Sequence, residues 1–214
     1  MASPLPPLTP TQTRVLGVLV EKQHTVPDAY PLSLNVLASG CNQKTSRDPV
    51  MSITEAEAQA AIDDLKRLSL VMEGSGSRVT RYEHNVDRVL HLPPQSVAII
   101  TVLMLRGPQT PGELRVNCER LYKFSDLSSV QAFLEELRDR AAGSLVVELP
   151  RRPGERENRW AHLLSGDVVT EAAVVEPAGA PGDIHARVAN LERDVAELKA
   201  LVGQLCALSG LKVI

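Results

Sequence analysis

The residues best suited to chemistry in this sequence are polar and basic and fall between its hydrophobic segments. Asn42, Gln43, Lys44 and Arg47 crowd into one short stretch, and Lys123, Arg151, Arg152 and Arg156 lie farther along. Asn and Gln side chains can read an adenine edge, and Lys and Arg hold phosphate or guanine. This is the chemistry of a nucleic-acid contact. The stretch around Asn42 can equally cap helices and dock neighbouring elements, and both readings stay open at this stage.

Catalytic chemistry has little to stand on. The five histidines, His24, His84, His91, His162 and His185, are dispersed, and none forms the i, i+4 helical pair of a metal site. Asp63-Asp64 and Glu135-Glu136 are sequence neighbours, which point in different directions on a helix. Gly74-Ser75-Gly76 is too short for a phosphate cradle and lacks a following Lys-Ser or Lys-Thr. The expectation is a protein that binds rather than catalyses, without metal or cofactor. His84 and His162 occupy matching positions and are read as structural hydrogen-bonding groups.

The elements that position these residues repeat. Ala61-Ile62-Asp63-Asp64-Leu65 followed by Arg81-Tyr82-Glu83-His84 returns as Phe133-Leu134-Glu135-Glu136-Leu137 followed by Arg159-Trp160-Ala161-His162. A helix and the strand after it recur together, so a unit of roughly 80 residues is duplicated. Capping boxes at Thr9 to Gln12, Thr54 to Glu57 and Thr110 to Glu113 open three helices. Ser33 to Ala38 reads as a short helix ended by Gly40, and Gln95–Leu105 and Ser128–Arg140 as two more. Leu70-Val71-Met72 with Val79-Thr80-Arg81-Tyr82, and Leu145–Leu149 with Arg159–Leu163, read as β-hairpins. The fold class expected is mainly α with small β-hairpins: two tandem winged-helix domains at 9–86 and 87–164. A disordered start (1–8), a linker (165–183), a coiled-coil helix (184–208) and a tail (209–214) complete the organisation.

The coiled-coil expectation rests on heptads. Ile184, Leu191, Leu198 and Leu205 fall seven apart, with Val188, Val195 and Val202 between them. β-branched residues at a with mainly Leu at d favour a parallel dimer, and Arg187 with Glu192 and Asp194 with Lys199 attract across it. A helix packed on its own globular part is the alternative.

Three segments together carry a family resemblance: Asn42–Val50, Arg106–Arg115 and Arg159–Leu164. In combination they resemble the bacterial YceH-like family over about residues 9–166. The resemblance implies a tandem winged-helix fold and no particular mechanism.

Charge weighs on the choice of partner. Residues 9–85 hold 8 basic and 9 acidic side chains, residues 86–164 hold 11 and 10, and residues 165–214 hold 4 and 7. Tight nucleic-acid binding draws on phosphate neutralisation, which this balance disfavours except through local patches. Only six aromatic residues are present (Trp 1, Tyr 3, Phe 2), too few for a base-stacking platform. The two expectations are therefore a dimeric DNA-binding regulator and a protein-interaction scaffold, similar in fold to subunits of chromosome-condensation complexes. Cys41, Cys118 and Cys206 lack disulfide or C-x-x-C spacing, and no signal or membrane-spanning run is evident, which fits a cytoplasmic protein.

Overall fold

A computed structural model describes residues 5–74, 79–151, 154–166 and 168, together with Arg193, Ala196 and Lys199. Its architecture is α+β: seven α-helices and two small antiparallel sheets among the described residues. Two compact units divide the chain at Thr170. The expected heptad residues Ile184, Val188, Leu191, Val195, Leu198, Val202 and Leu205 lie outside the described residues.

In the first unit the order is α1 (Pro10–Thr25), β1 (Leu32–Ser33), α2 (Leu34–Cys41), α3 (Glu55–Arg67), β2 (Val71–Gly74) and β3 (Arg81–His84). It continues through α4 (Val86–Leu90), α5 (Pro94–Arg106), α6 (Pro111–Asn117), α7 (Leu127–Arg138), β4 (Val146–Leu149) and β5 (Arg159–His162). The order helix, helix, helix, hairpin thus occurs twice. The three capping boxes form as expected, each with Thr receiving the N3 amide and the N3 Gln or Glu reaching back. α7 starts at Leu127, one residue ahead of the expected Ser128, with Asp126 as its cap, whose carboxylate takes the Ser129 amide at 2.7 Å. β1, which adds a third strand beside β3, and α4 have no counterpart in the sequence reading.

The duplication holds at the level of register. In the first hairpin Tyr82 stands opposite Glu73 and His84 opposite Val71; in the second Trp160 stands opposite Glu148 and His162 opposite Val146. Tyr82 and Trp160 are both buried, as are Ile62 and Leu134 one helix earlier. Cys41 ends α2 and Cys118 caps α6, both fully buried. Burial pushes both thiols up to about 12, which keeps them protonated and inert.

The two halves share one core. α5 is apolar on every side, a pattern that requires burial all round, and every residue from Ser96 to Leu105 is buried. Its main neighbour is α1, which crosses from the first half. Gly17 permits the approach: a Cβ there would lie 2.9 Å from Leu105 Cδ2. Gly40, expected to end its helix, instead lies inside α2, because a Cβ at that point would meet Val18 Cγ1 at 2.7 Å. The chain ends of the unit are tied by Leu8 N–H donating to Leu164 O at 2.7 Å.

A Gly17→Leu substitution inserts a four-carbon side chain where one carbon already collides. It should destabilise the chain by about 1–3 kcal/mol or more, the usual range for overpacking. Urea unfolding followed by Trp160 fluorescence checks this. Trp160 belongs to the other half, so a lowered midpoint in a single transition is expected from a shared core.

Candidate nucleic-acid interface

The cluster in the first half is built as a brace. Asn42 accepts the Ile53 amide on Oδ1 at 2.7 Å and donates Nδ2 to Ile53 O at 2.7 Å, closing the loop between α2 and α3. Arg47 is buried, with its side chain fully covered. Its guanidinium forks onto Glu21 (3.0 and 2.6 Å) and donates to Gly40 O and Gln43 Oε1. Burial pushes the Glu21 carboxyl up, but its bonds and charge attraction to Arg47, helped by Lys22, outweigh that and hold it below the usual value. The expectation of a phosphate contact at Arg47 is thereby corrected: a covered guanidinium with every arm engaged has nothing to offer a ligand. Gln43 accepts from Arg47 and from Lys22, so it serves the same brace. Lys44 alone of the four is an exposed cation without a carboxylate partner among the described residues. The loop also docks the halves, through Asp48 N–H to Leu105 O (2.9 Å) and Arg106 Nη2 to Ser46 Oγ (2.8 Å).

Among the described residues, the other surface cations of the first half are engaged locally; Arg78 lies outside them. Lys66 pairs with Glu73 and Arg67 with Asp64, while Arg81 donates to Pro31 O at 2.7 Å. α3 begins with Glu55 and Glu57; the hydrogen bond from the Thr54 amide holds the Glu57 carboxyl below its usual value, so it stays charged.

The second half differs. Arg115, Arg120, Lys123, Arg151 and Arg156 are exposed, and none has a carboxylate within ion-pair reach among the described residues. Arg152 lies outside the described residues. Arg151 and Arg156 flank an open groove of about 830 Å³ between the start of α7 and the β4–β5 hairpin. Leu127 and Trp160 give it apolar surface, Gln131 is amide-bearing, and Asp126, Glu148 and Glu157 oppose the arginines. Arg159 clamps the hairpin to α6 by pairing with Glu113 (2.9 Å) and Glu155 (3.1 Å). Ser128 is already committed, donating its hydroxyl to Asp126 at 2.9 Å. Arg115 and Arg120 escaped the sequence reading because it weighed loops and wings; the helical position of Arg115 next to buried Leu114 was the available signal.

The matching histidines have different roles. His84 Nε2 lies 2.6 Å from Gln23 Oε1 and its Nδ1 accepts the Val86 amide at 3.4 Å, a pairing that suits the neutral ring. His162 Nδ1 is buried with no hydrogen-bond partner among the described residues. Burial pushes both rings down from the ordinary 6.5 to about 4; at His84, Asp87 pulls the other way and His24 adds to the fall. The linkage sign follows. Above 6.5 both states are neutral and the stabilisation is complete; between 6.5 and about 4 the unfolded chain takes up the protons, so stability falls with falling pH. Urea midpoints at several pH values across that window should drop toward acid in the wild type and less steeply in a His84→Gln variant. No group of His, Cys, Asp and Glu able to hold a metal occurs among the described residues.

Comparison with known proteins fits this arrangement into a family. Residues 8–155 match the family described as a protein of unknown function, DUF480. A UPF0502 protein of Dechloromonas aromatica is 58% identical over 207 residues, covering 94% of this chain and 97% of its own. The chain belongs to the DUF480 family. A UPF0502 protein of Burkholderia thailandensis is 59% identical over 198 residues (91% of this chain, 84% of its own), and one of Cupriavidus necator is 58% identical over 207 residues (97% and 85%). The DUF480 match contains the Arg47 brace, α7 and Arg151 and ends at Glu155, ahead of Arg156 and β5. No helix among the described residues is long and apolar enough to cross a membrane.

Proposed function

We propose that this chain is a non-enzymatic DNA-binding protein made of two tandem winged helices and dimeric through the heptads of residues 184–208. The second winged helix makes the contact, with α7 as recognition helix and β4–β5 as wing. One observation carries the reading: exposed cations without an ion pair gather in the second half, at Arg115, Arg120, Lys123, Arg151 and Arg156, while among the described cations of the first half all but Lys44 are buried, ion-paired or hydrogen-bonded to neighbouring groups. Phosphate contacts need charges free to displace counterions. The acid-capped α3 supports a structural role for the first winged helix, with Lys44 as its one outlying contact.

A second reading, a protein-interaction scaffold, is favoured by the groove beside α7. Its apolar surface and mixed charges suit an extended peptide better than a phosphate backbone.

Fluorescence anisotropy with duplex fragments of genomic DNA at several salt concentrations separates the two. Each phosphate contact contributes roughly 0.9 to the slope of log affinity against log salt. An Arg151→Ala/Arg156→Ala variant is therefore expected to lose about 1.8 from that slope and to bind more weakly at every sequence. A folded variant with an unchanged slope removes the wing from the interface.

A further inference from the structure

Within the first compact unit, α1, α5, β5 and residues after it line a second, partly open cavity of about 280 Å³. Its walls are largely apolar, among them Met51, Leu103, Met104, Pro108 and Ala161. Four polar side chains interrupt them, Thr13, Arg14, His162 and Ser165, and the Thr13 hydroxyl is committed to the Thr9 and Pro10 carbonyls. Arg14 is 2% exposed. It donates Nη1 to Cys41 O at 3.0 Å and Nη2 to Pro49 O at 2.7 Å, both neutral acceptors, and its buried Nε has no hydrogen-bond partner among the described residues. His162 Nδ1, on the same cavity, is also buried without one.

This is an unusual state for a charge. Burying a cation costs several kcal/mol unless a counterion or a full set of hydrogen bonds offsets it. Among the described residues no carboxylate reaches Arg14 within ion-pair distance; burial and then the like charge of Arg47 disfavour its protonation, and Asp48 and Glu21 favour it only from beyond that distance. Arg47 bonds directly to Glu21; the hydrogen bonds of Arg14 go only to carbonyls. The missing partner is an anion, and the apolar walls specify the rest of it. A phosphate or a sugar acid would lose hydration against Met51, Leu103 and Met104 without replacement.

We propose that this cavity binds a small apolar carboxylic acid, its carboxylate received by Arg14 and His162 and its hydrocarbon body by Met51, Leu103 and Met104. At interior packing density the volume admits roughly ten non-hydrogen atoms, the size of a benzoate or a hexanoate. Neutral His162 can donate through Nδ1 to a carboxylate oxygen. The site joins both halves of the duplication, Arg14 from the first and His162 from the second. It does not depend on the DNA reading.

Isothermal titration of the full chain, without DNA, with benzoate and hexanoate against benzyl alcohol and hexanol tests the assignment. Saturable binding of one acid per chain is expected, with each alcohol about 10- to 100-fold weaker for want of a charge-assisted bond. Arg14→Gln should abolish the preference for acids, but its loss can unfold the loop at Pro49. Ala161→Leu avoids that difficulty by filling the cavity while leaving every polar group in place; with wild-type circular dichroism, it should bind neither acid. The assignment is overturned if the acids give no saturable heat, if alcohols bind as well as acids, if inorganic phosphate binds as tightly as hexanoate, or if folded Ala161→Leu binds like wild type.

Discussion

Arg47→Met is expected to lower the unfolding free energy by about 3–5 kcal/mol, the usual cost of removing one partner from a buried ion pair. The substitution is close in volume, so the loss comes from electrostatics rather than from a void. Glu21 would keep a mostly covered carboxylate, 15% exposed, with only Lys22 at 3.6 Å to answer it. Gly40 O would lose both guanidinium donors as well. That carbonyl lies in the last turn of α2, where carbonyls have no donor within the helix, and Arg14 serves its neighbour Cys41 O in the same way. Two cations at this helix end also complement its dipole. Arg47→Lys should recover little, since a single ammonium cannot fork onto Glu21 while holding Gly40. A double variant, Arg47→Met with Glu21→Gln, should recover part of the loss by removing the orphaned charge. Urea denaturation measures all three. An Arg47→Met protein as stable as wild type would mean that the brace holds nothing together.

Trp160→Ala should cost a similar amount, about 3–5 kcal/mol. The indole is 1% exposed and forms part of both the core and the wall of the groove beside α7. Its backbone exchanges both hydrogen bonds with Gln109, at 3.0 and 2.7 Å, which ties the second hairpin to the loop before α6. The Arg138 guanidinium lies 5.8 Å from the ring centroid. Trp160→Phe keeps most of the packing and should lose less than half as much. Thermal unfolding by circular dichroism distinguishes the pair, and an alanine variant no less stable than the phenylalanine one would contradict the role given to the indole.

How far the sequence foretold this arrangement depends on the physics that set each element. The three Thr capping boxes were legible because their hydrogen bonds are local, spanning three residues. The repeat was legible because burial at Ile62 and Leu134, and at Tyr82 and Trp160, imposes the same residue class on both copies. Gly40 misled because its reason is a contact with Val18 across a helix pair, which no local pattern encodes. The fate of Arg47 was hidden for the same cause: its partner Glu21 lies 26 residues away. Lys44 and Arg47, three apart in one polar loop, read alike in sequence, yet one is exposed and the other covered. The cavity at Arg14 left no trace at all, since an arginine inside the α1 sequence looks like any surface cation until its neighbours are known.

The central proposal is that free positive charge in the second half meets a nucleic acid, and that the polar loop of the first half contributes no more than Lys44. The direct measurement is the salt dependence of duplex DNA affinity for the wild type, for Arg151→Ala/Arg156→Ala and for Gln43→Ala. Salt-dependent binding by the wild type, a slope reduced by about 1.8 in the double arginine variant, and no change of slope in Gln43→Ala are the predicted results. Absence of salt-dependent binding in the folded wild type, or a slope untouched by loss of both arginines, would contradict it.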